Sequence, residues 1–185
     1  MKVAPERKYA TALASVDSRG RFCGYASLFG RVDLSGDIVE PGAFAKTLLA
    51  RGASEIGMYL EHDSGSVIGL WLLVEEDQRG LWVEGRLGGS RAAGEAGHAM
   101  TSGRLDGLSI GFRTVQAEYD RAARVRRLKE IDLWEVSVVT SPMLPEARAH
   151  AVSTASQRRE TPATAVDAGL LARMRRTTAF LRQTR

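Results

Sequence analysis

The 185-residue chain has one cysteine and no long apolar run, and both scarcities exclude classes of protein. The single cysteine, Cys23, cannot form an intramolecular disulfide, and a zinc site made from several cysteines is ruled out. We expect Cys23 to be a core residue, because it lies in a stretch typical of a strand. No run of about 18 apolar residues occurs, so a transmembrane helix is not expected. The first residues also lack the apolar region of a signal peptide, so none is expected. The use of a single cysteine fits a reducing cytoplasm.

The chain also lacks the common motifs of nucleotide and metal chemistry. It contains no glycine-rich phosphate loop, and the motifs H-x-H and H-E-x-x-H are absent. One set of possible metal ligands remains, His62 and Asp63 together with Asp33 and Asp37. Asp33 and Asp37 are four residues apart around Gly36, which is more typical of a turn. We therefore expect neither a metal nor a cofactor, and a metal-dependent hydrolase is the weakest alternative.

The net positive charge is confined to the end of the chain. The formal net charge is +4, but residues 157–185 carry +5 and residues 1–156 carry −1. A core that binds nucleic acid is therefore not implied, and attraction to an anionic partner would reside in the tail. Nucleic acid is not an expected partner, because Phe180 is the one aromatic side chain of the tail that could stack on bases.

The pattern along the chain predicts two parts, a domain at residues 1–152 and an appendage at residues 153–185. Residues 153–165 predict a linker, because they combine polar residues, alanine and a proline. A basic amphipathic helix is predicted to follow, with its apolar side chains near one face at Val166, Leu170, Met174 and Leu181. This tail could dock on an acidic partner or pack on its own domain, and the sequence favours neither.

The domain is predicted to be mainly β, with two short helices among its strands. The strands are predicted at residues 9–17, 21–29, 55–61, 67–75, 80–87, 107–119 and 125–139, and the helices at residues 43–50 and 90–102. Turns at residues 17–20 and 77–80 predict two hairpins. Because most strands are joined by turns, we expect a mostly antiparallel barrel or sandwich.

Ser109 lies in a predicted strand between Leu108 and Ile110. Taken alone, its more ordinary role would be packing in the sheet. It could also be a nucleophile, with the flanking Gly107 and Gly111 leaving room for a substrate backbone. A nucleophilic serine needs a base, because its hydroxyl is weak at neutral pH.

Three histidines could supply that base. His98 lies in a predicted helix and is expected to be exposed, and His150 has no polar companion except Arg148. His62 lies at the predicted end of a strand, where an imidazole can act as a general base because it exchanges a proton near neutral pH. A lone histidine more often has an ordinary hydrogen-bonded role. His62 and Ser109 are far apart in sequence, so only the fold could bring them together.

Glu135 is the odd residue of its strand, because it lies between Trp134 and Val136 in an apolar run. Alternation places Glu135 and Ser137 on one face of the strand. A carboxylate in a mostly buried strand is costly unless it is paired. It could pair with a nearby arginine, or it could orient an imidazole. The arginine candidates are Arg124, Arg126 and Arg127.

Four segments in order resemble the signature of the prohead proteases of tailed bacteriophages. They are G-Y-A-S-L-F-G-R-V-D-L-S-G-D-I-V-E-P-G-A-F at residues 24–44, E-H-D at 61–63 followed by V-I-G, G-L-S-I-G-F at 107–112, and L-W-E-V-S-V-V-T at 133–140 followed by Pro142. These head-maturation serine proteases are distantly similar to herpesvirus assemblin. The resemblance covers roughly residues 9–150, and the four motifs are specific together.

The resemblance implies a serine endopeptidase with Ser109 as nucleophile, His62 as general base and Glu135 as the acidic third member. Asp63 competes with Glu135 for the third role, although neighbouring side chains in a strand point to opposite faces. The basic pair that helps to stabilise the oxyanion in assemblin has no clear counterpart, and Arg148 is the nearest candidate. Backbone N–H groups could supply the oxyanion hole instead.

The resemblance further implies a closed, mostly antiparallel β-barrel with a few flanking helices, a herpesvirus protease-like fold. The implied partners are the major capsid protein, scaffold segments, the chain itself through autocleavage, and a second copy in a homodimer. The implied location is the assembling prohead in the cytoplasm of the bacterial host, with no membrane partner. The competing hypothesis is a catalytically idle assembly or scaffold protein that retains the fold.

Overall fold

The structure, a computed structural model, describes residues 15–152. The strands are β1 (Arg21–Leu28), β2 (Asp37–Val39), β3 (Gly57–Leu60), β4 (Asp63–Val67), β5 (Gly69–Glu76), β6 (Gly80–Leu87), β7 (Gly107–Asp120), β8 (Val125–Val139) and β9 (Ala149–Ala151). The helices are α1 (Ala45–Ala50) and α2 (Arg91–Thr101), with a 3-10 turn at Ala53–Glu55. The predicted linker and helical tail at residues 153–185 lie outside the described residues, so that division of the chain stays a prediction.

The first sheet has the strand order β5-β6-β1-β9 and is antiparallel throughout. Its large apolar side chains form one half of the core, where Trp71 of β5 and Phe22 of β1 meet edge to face with ring centroids 5.5 Å apart. Cys23 of β1 is 2% exposed, which confirms the expectation of a core residue. The predicted β5–β6 hairpin is confirmed as well.

The second sheet is built around β8. β7 pairs antiparallel with β8 along nearly its whole length, from Gly107 opposite Val139 to Asp120 opposite Val125. β2 and β3 pair with β8 in parallel, and β4 extends the sheet beyond β3. Since β7 takes one edge of β8, β2 and β3 share the other edge. β8 therefore brings side chains of β3 and β7 close together.

A mainly β, mostly antiparallel domain is confirmed, but a closed barrel is not what the described residues form. Five of the seven strand pairs are antiparallel, and the pairs divide into two sheets. Closure would need a strand along the free edge of β7. That edge makes an isolated bridge between Gly107 and Arg148. Further along β7, residues 108–112 contribute to a cavity.

The sequence pattern missed three short strands, β2, β4 and β9. Elements of three to five residues carry too little alternation to be recognised. The turn at residues 17–20 is present, because Gly20 has a φ of 72° and its N–H donates to the Asp17 carbonyl at 3.0 Å. The strand predicted before it does not include residues 15–17. Residues 9–14 lie outside the described residues, so the first hairpin stays a prediction. Both predicted helices are present, and no helix in residues 15–152 is long and apolar enough to cross a membrane.

Candidate active site

Ser109 is held in a regular part of the β7–β8 ladder. Its backbone pairs with that of Ser137 on β8, so both side chains lie on the same face of the sheet. The neighbouring Leu108 is fully buried in the core on the opposite face. Ser109 is 4% exposed and lines a cavity of about 270 Å³. Within residues 15–152 its hydroxyl has no hydrogen-bond partner, which leaves it available for chemistry.

The cavity beside Ser109 combines an apolar wall with a charged rim. The wall is formed by aliphatic and aromatic side chains from four strands and from the segment between β8 and β9, including Leu28, Val39, Ile110, Phe112, Leu128 and Leu144. The charged groups are Arg31, Asp33, Asp37 and Arg126. A concave, mainly apolar site with a few polar groups is the usual form of a binding site.

The two glycines that flank Ser109 make room for the protein itself. A Cβ added at Gly111 would lie 2.1 Å from Glu135 Oε1. A Cβ added at Gly107 would lie 2.5 Å from the Val139 carbonyl oxygen and 2.7 Å from Pro142 Cδ. The expectation that these glycines clear space for a substrate is therefore wrong. Gly111 instead lets the Glu135 carboxylate lie against the strand that carries Ser109.

Glu135 lies on the same face of β8 as Ser137, and both of its carboxylate oxygens are engaged. Oε1 is 2.6 Å from His62 Nδ1, and Oε2 accepts a hydrogen bond from the Ser137 hydroxyl. Glu135 is 9% exposed, so these bonds offset the cost of burying its charge. Because a carboxylate can only accept, Nδ1 of His62 is the donor.

The alternative that Glu135 pairs with a nearby arginine is wrong. Arg126 forms a two-pronged ion pair with Asp37 across the β2–β8 pair, at 2.8 and 2.5 Å. Arg127 pairs with Glu40 and Asp120. No ion pair joins Arg124 to Glu135 among the residues of the described range. Ser137 was not predicted as a partner of Glu135. The alternation of the strand, which places both side chains on one face, could have indicated it.

His62 lies in the two-residue turn between β3 and β4, and not at the end of a strand. Leu60 pairs with Asp63 across the hairpin, which leaves Glu61 and His62 as the turn. Their φ values are 50° and 62°, in the left-handed region that glycine and asparagine usually occupy. Such a conformation costs about 1–3 kcal/mol for each residue. The His62 side chain is 43% exposed, and its Nε2 bonds no other residue of the described part.

Asp63, the competitor of Glu135, is engaged within its own strand. Its carboxylate accepts the Gly65 N–H at 3.0 Å and the Ser66 hydroxyl at 2.6 Å. These bonds, led by the one from Ser66, hold the pKa of the Asp63 carboxyl below its usual value. Asp63 has no bond to the His62 ring in the described structure. The imidazole is therefore oriented by Glu135.

Ser109 and His62 flank Glu135 from the two sides of β8. Gly111, two residues after Ser109, is the cross-strand neighbour of Glu135 on β7. On the other side, Gly57 of β3 is the neighbour of Glu135. The structure thus brings all three predicted residues to one end of one sheet. A direct hydrogen bond between Ser109 and His62 is not formed within residues 15–152.

The residues of the metal alternative are not assembled into a site. Asp33 Oδ1 accepts the N–H groups of Ser35 and Asp37, both at 2.9 Å, which is the turn role expected for it. Asp37 is committed to Arg126, and this pairing raises the pKa of the guanidinium. Across residues 15–152, no group of three or more histidine, cysteine, aspartate or glutamate side chains could hold a metal ion.

The remaining basic candidates lie elsewhere. His98 is exposed on α2, as expected, and His150 is exposed on β9. Arg148 bonds Asp106 at 2.6 Å and the Pro145 carbonyl at 2.8 Å. Arg148 lines a second cavity, of about 200 Å³, that does not include Ser109. The guanidinium is thus engaged by Asp106 and Pro145, and within residues 15–152 it forms no bond to Ser109.

A serine, a histidine and a carboxylate that is bonded to the histidine ring are the three groups on which many serine hydrolases are built, and here all three belong to one sheet or its turn. The chain belongs to the caudovirus prohead serine protease family, whose model matches residues 9–162. It is 37% identical over 132 residues to the prohead protease of Enterobacteria phage HK97, and 27% identical over 136 residues to that of Escherichia phage T5. These matches cover 70% of this chain in each case, and 58% and 64% of the two relatives. The chain thus spans only about three fifths of the length of these relatives.

The fold is similar to that of a herpesvirus protease. The solved structure of KSHV protease in complex with a hexapeptide phosphonate inhibitor aligns with a TM-score of 0.51 and 12% sequence identity. The alignment covers 76% of this chain and 73% of the other. At this identity the likeness establishes the fold alone, which is herpesvirus protease-like.

Proposed function

We propose that this chain is a serine endopeptidase that cleaves capsid and scaffold proteins, and itself, during prohead maturation. The observation that carries the proposal is the bond between His62 Nδ1 and Glu135 Oε1, on the sheet that holds Ser109. Membership of the prohead serine protease family supports the same chemistry.

In the proposed mechanism, Glu135 fixes the tautomer of His62 by accepting its Nδ1 proton. Nε2 of His62 then removes the proton of the Ser109 hydroxyl as the serine oxygen attacks the peptide carbonyl. The same proton passes to the leaving amine, and an acyl-enzyme remains. Water, deprotonated by His62, releases the acyl group and restores Ser109.

The bond between His62 and Ser109 is proposed to form when substrate binds. Hydrogen bonds of catalytic groups are often long or unformed before substrate is present. The His62 side chain is 43% exposed on a turn, so its ring has room to move, whereas Ser109 is fixed in a ladder. A substrate that covers the ring would exclude water and hold Nε2 near the hydroxyl.

The free edge of β7 offers the substrate a strand to pair with. The Leu108 N–H points away from β8 and donates to the Ala147 carbonyl at 2.9 Å. By the alternation of an antiparallel ladder, the N–H and carbonyl of Ile110 also point away from β8. An extended peptide could bond Ile110 and lie across Ser109, with one apolar side chain in the adjacent cavity.

The finer parts of the proposal concern partners and place. Two relatives are named prohead proteases. We therefore propose the major capsid protein and scaffold segments as substrates, the assembling prohead in the host cytoplasm as the location, and a homodimer as a possible assembly. The basic tail at residues 153–185 is proposed to dock on an acidic scaffold or capsid segment.

The first test is co-expression of the full chain with the capsid protein of the same virus. The wild type should shorten the capsid protein, and Ser109→Ala should abolish this, because no nucleophile remains. Ser27→Ala is the matched control, because Ser27 is equally buried and lines the same cavity on β1. A chelator should have no effect.

A phosphonate that reacts with activated serines gives an independent readout. Mass spectrometry should find one adduct, on Ser109, which is absent from Ser109→Ala and retained in Ser27→Ala. Processing by Ser109→Ala at the wild-type rate would overturn the nucleophile assignment. A wild type that neither processes capsid protein nor reacts would favour the idle assembly protein.

A further inference from the structure

We propose that Glu61 is a positioning residue that holds the His62 turn against the end of β8. This inference rests on the proposed function, in which His62 is the general base. The inference is based on a side-chain hydrogen bond that joins the strained turn to the end of β8, the strand that also holds Glu135. Glu61 Oε1 accepts the backbone N–H of Thr140 at 2.8 Å, and Thr140 directly follows β8.

The turn itself gives no reason for a glutamate at position 61. Two-residue hairpin turns with positive φ at both positions favour asparagine, aspartate and glycine. Glu61 and His62 occupy these positions with φ of 50° and 62°. Neither residue type is favoured by this backbone conformation. His62 has a chemical role in the proposed mechanism. Glu61 needs a separate explanation, and its bond to Thr140 supplies one.

Glu61 is fixed to the same strand through its backbone as well. Its N–H donates to the Val138 carbonyl at 3.0 Å, which continues the β3–β8 ladder by one residue. The side-chain bond to Thr140 adds a second attachment two residues further on. Two attachments to one strand restrict rotation of the turn more than either alone. The backbone of His62 follows immediately, so its position is set by both.

Glu135, which bonds the His62 ring, lies on β8, and Glu61 bonds the residue that directly follows β8. Glu135 and Thr140 bracket the end of β8, and the His62 ring reaches back to Glu135 at 2.6 Å. A shift of the turn relative to β8 would therefore change the length of this bond directly. No ion pair of Glu61 with a basic side chain is formed within the described range, so the carboxylate acts here as an acceptor of a backbone N–H.

Three substitutions separate anchoring from turn propensity and from charge. Glu61→Ala removes the acceptor. Glu61→Asn suits the left-handed conformation better than glutamate, but its side chain is one methylene too short to reach Thr140. Glu61→Gln keeps the length and an amide oxygen that can accept the same N–H.

The expected result is a loss of turnover with little change in substrate affinity. We expect Glu61→Ala and Glu61→Asn to lower kcat on purified capsid protein by about 10- to 100-fold, because small displacements of a catalytic group have effects of this size. KM should stay near the wild-type value, and Glu61→Gln should remain within about threefold in kcat. Glu61→Asn should unfold at the wild-type temperature or above it, which excludes loss of folding as the cause.

A second readout does not depend on activity. In the Ser109→Ala variant, with nitrogen-15 histidine, the Nδ1 proton of His62 bonded to Glu135 should give a low-field NMR signal that disappears in Glu135→Gln. Adding Glu61→Ala or Glu61→Asn to Ser109→Ala should broaden or remove this signal, and adding Glu61→Gln should retain it.

The outcomes distinguish failure of this inference from failure of the proposed function. Wild-type kcat in Glu61→Ala and Glu61→Asn, or an unchanged low-field signal in both, would overturn the role of Glu61 and leave the protease proposal intact. A Glu61→Gln variant as impaired as Glu61→Ala would assign the effect to charge and overturn anchoring. If the wild type cleaved nothing, the proposed function would fail, and the NMR signal would still decide whether Glu61 holds His62.

Discussion

The strand pair β7–β8 and the β3–β4 turn contribute to the proposed active site in opposite ways. Ser109 and Glu135 lie in a regular ladder and are 4% and 9% exposed. His62 lies in a two-residue turn with positive φ, and its side chain is 43% exposed. The ladder fixes the serine and the carboxylate by many backbone bonds, whereas the histidine depends on a few specific ones. Regular structure thus holds the buried members of the site, and a strained turn holds the accessible one.

This difference predicts two kinds of variant. Changes in the strand pair should act through the chemistry or the burial of the group removed, since the backbone there is held by neighbours on both strands. Changes in the turn should act through the position of the imidazole. The proposed motion of His62 toward Ser109 is a motion of the side chain, because an exposed imidazole can move while the backbone of its turn stays attached to β8.

The largest effect in this comparison is expected for Glu135→Gln. An amide can donate to Nδ1 and so favour the tautomer in which Nε2 carries the proton, which cannot act as a base. We expect kcat on capsid protein to fall by about 10³- to 10⁴-fold, the size seen when the acidic member of a serine triad is made an amide. Steady-state cleavage of purified capsid protein measures it.

Asp132→Asn is the control for Glu135→Gln, because it makes the same chemical change on the same strand. Asp132 pairs with Arg51 and Arg113 and has no bond to His62. Its activity should stay within about threefold of the wild type, because both arginine partners of Asp132 are partly exposed and neither bonds the imidazole in the described structure. If both variants lost the same amount of activity, any replacement of a carboxylate by an amide on β8 would be harmful. The role of Glu135 in orienting His62 would then have no support.

A smaller effect is expected for Ser137→Ala. The Ser137 hydroxyl donates to Glu135 Oε2, so its removal leaves a buried carboxylate oxygen without that partner. The loss of such a partner costs about 1–3 kcal/mol of unfolding free energy. We expect urea denaturation to show this loss, and kcat to fall about tenfold because the carboxylate is less firmly held. Ser27→Ala, also at a buried serine, should change neither the unfolding free energy nor kcat. If Ser137→Ala behaved like the wild type, Ser137 would not be needed to hold Glu135, and the strand pair would not be the rigid part of the site.

The same contrast explains which parts of the site could be predicted from sequence. β7 and β8 are long and rich in strand-forming residues, so their extents and the shared face of Glu135 and Ser137 follow from residue pattern alone. The three register shifts in the β7–β8 ladder do not. The turn at Glu61 and His62 has no glycine or asparagine to mark positive φ, and it was predicted as the end of a strand. The role proposed for Glu61 depends on a bond to a residue 79 positions away, which no local pattern contains.

The pairing of the strands could also not be predicted from the sequence. The strand count and the mainly β class were predictable, but a closed barrel and two separate sheets have the same pattern along the chain. Gly111 shows the limit at one residue. Its position beside Ser109 suggested space for a substrate, whereas the group that needs the space is Glu135, which reaches Gly111 only because of the β7–β8 register.

The smallest effect is expected for Asp63→Asn, in the turn region but turned away from the imidazole. An asparagine oxygen can still accept the Gly65 N–H, and the asparagine NH2 can donate to the Ser66 hydroxyl in place of the second carboxylate oxygen. Cleavage at neutral pH should therefore stay within about twofold of the wild type. Because the folded chain lowers the Asp63 pKa, its ionised form contributes stability above the ordinary value of 3.8 and loses it as the pH falls further. Any advantage of the wild type in thermal unfolding should therefore be present at pH 7 and shrink below that value. If Asp63→Asn lost as much activity as Glu135→Gln, Asp63 would be the third member in place of Glu135. The contrast between a rigid strand pair and the turn that holds the histidine would then fail as well.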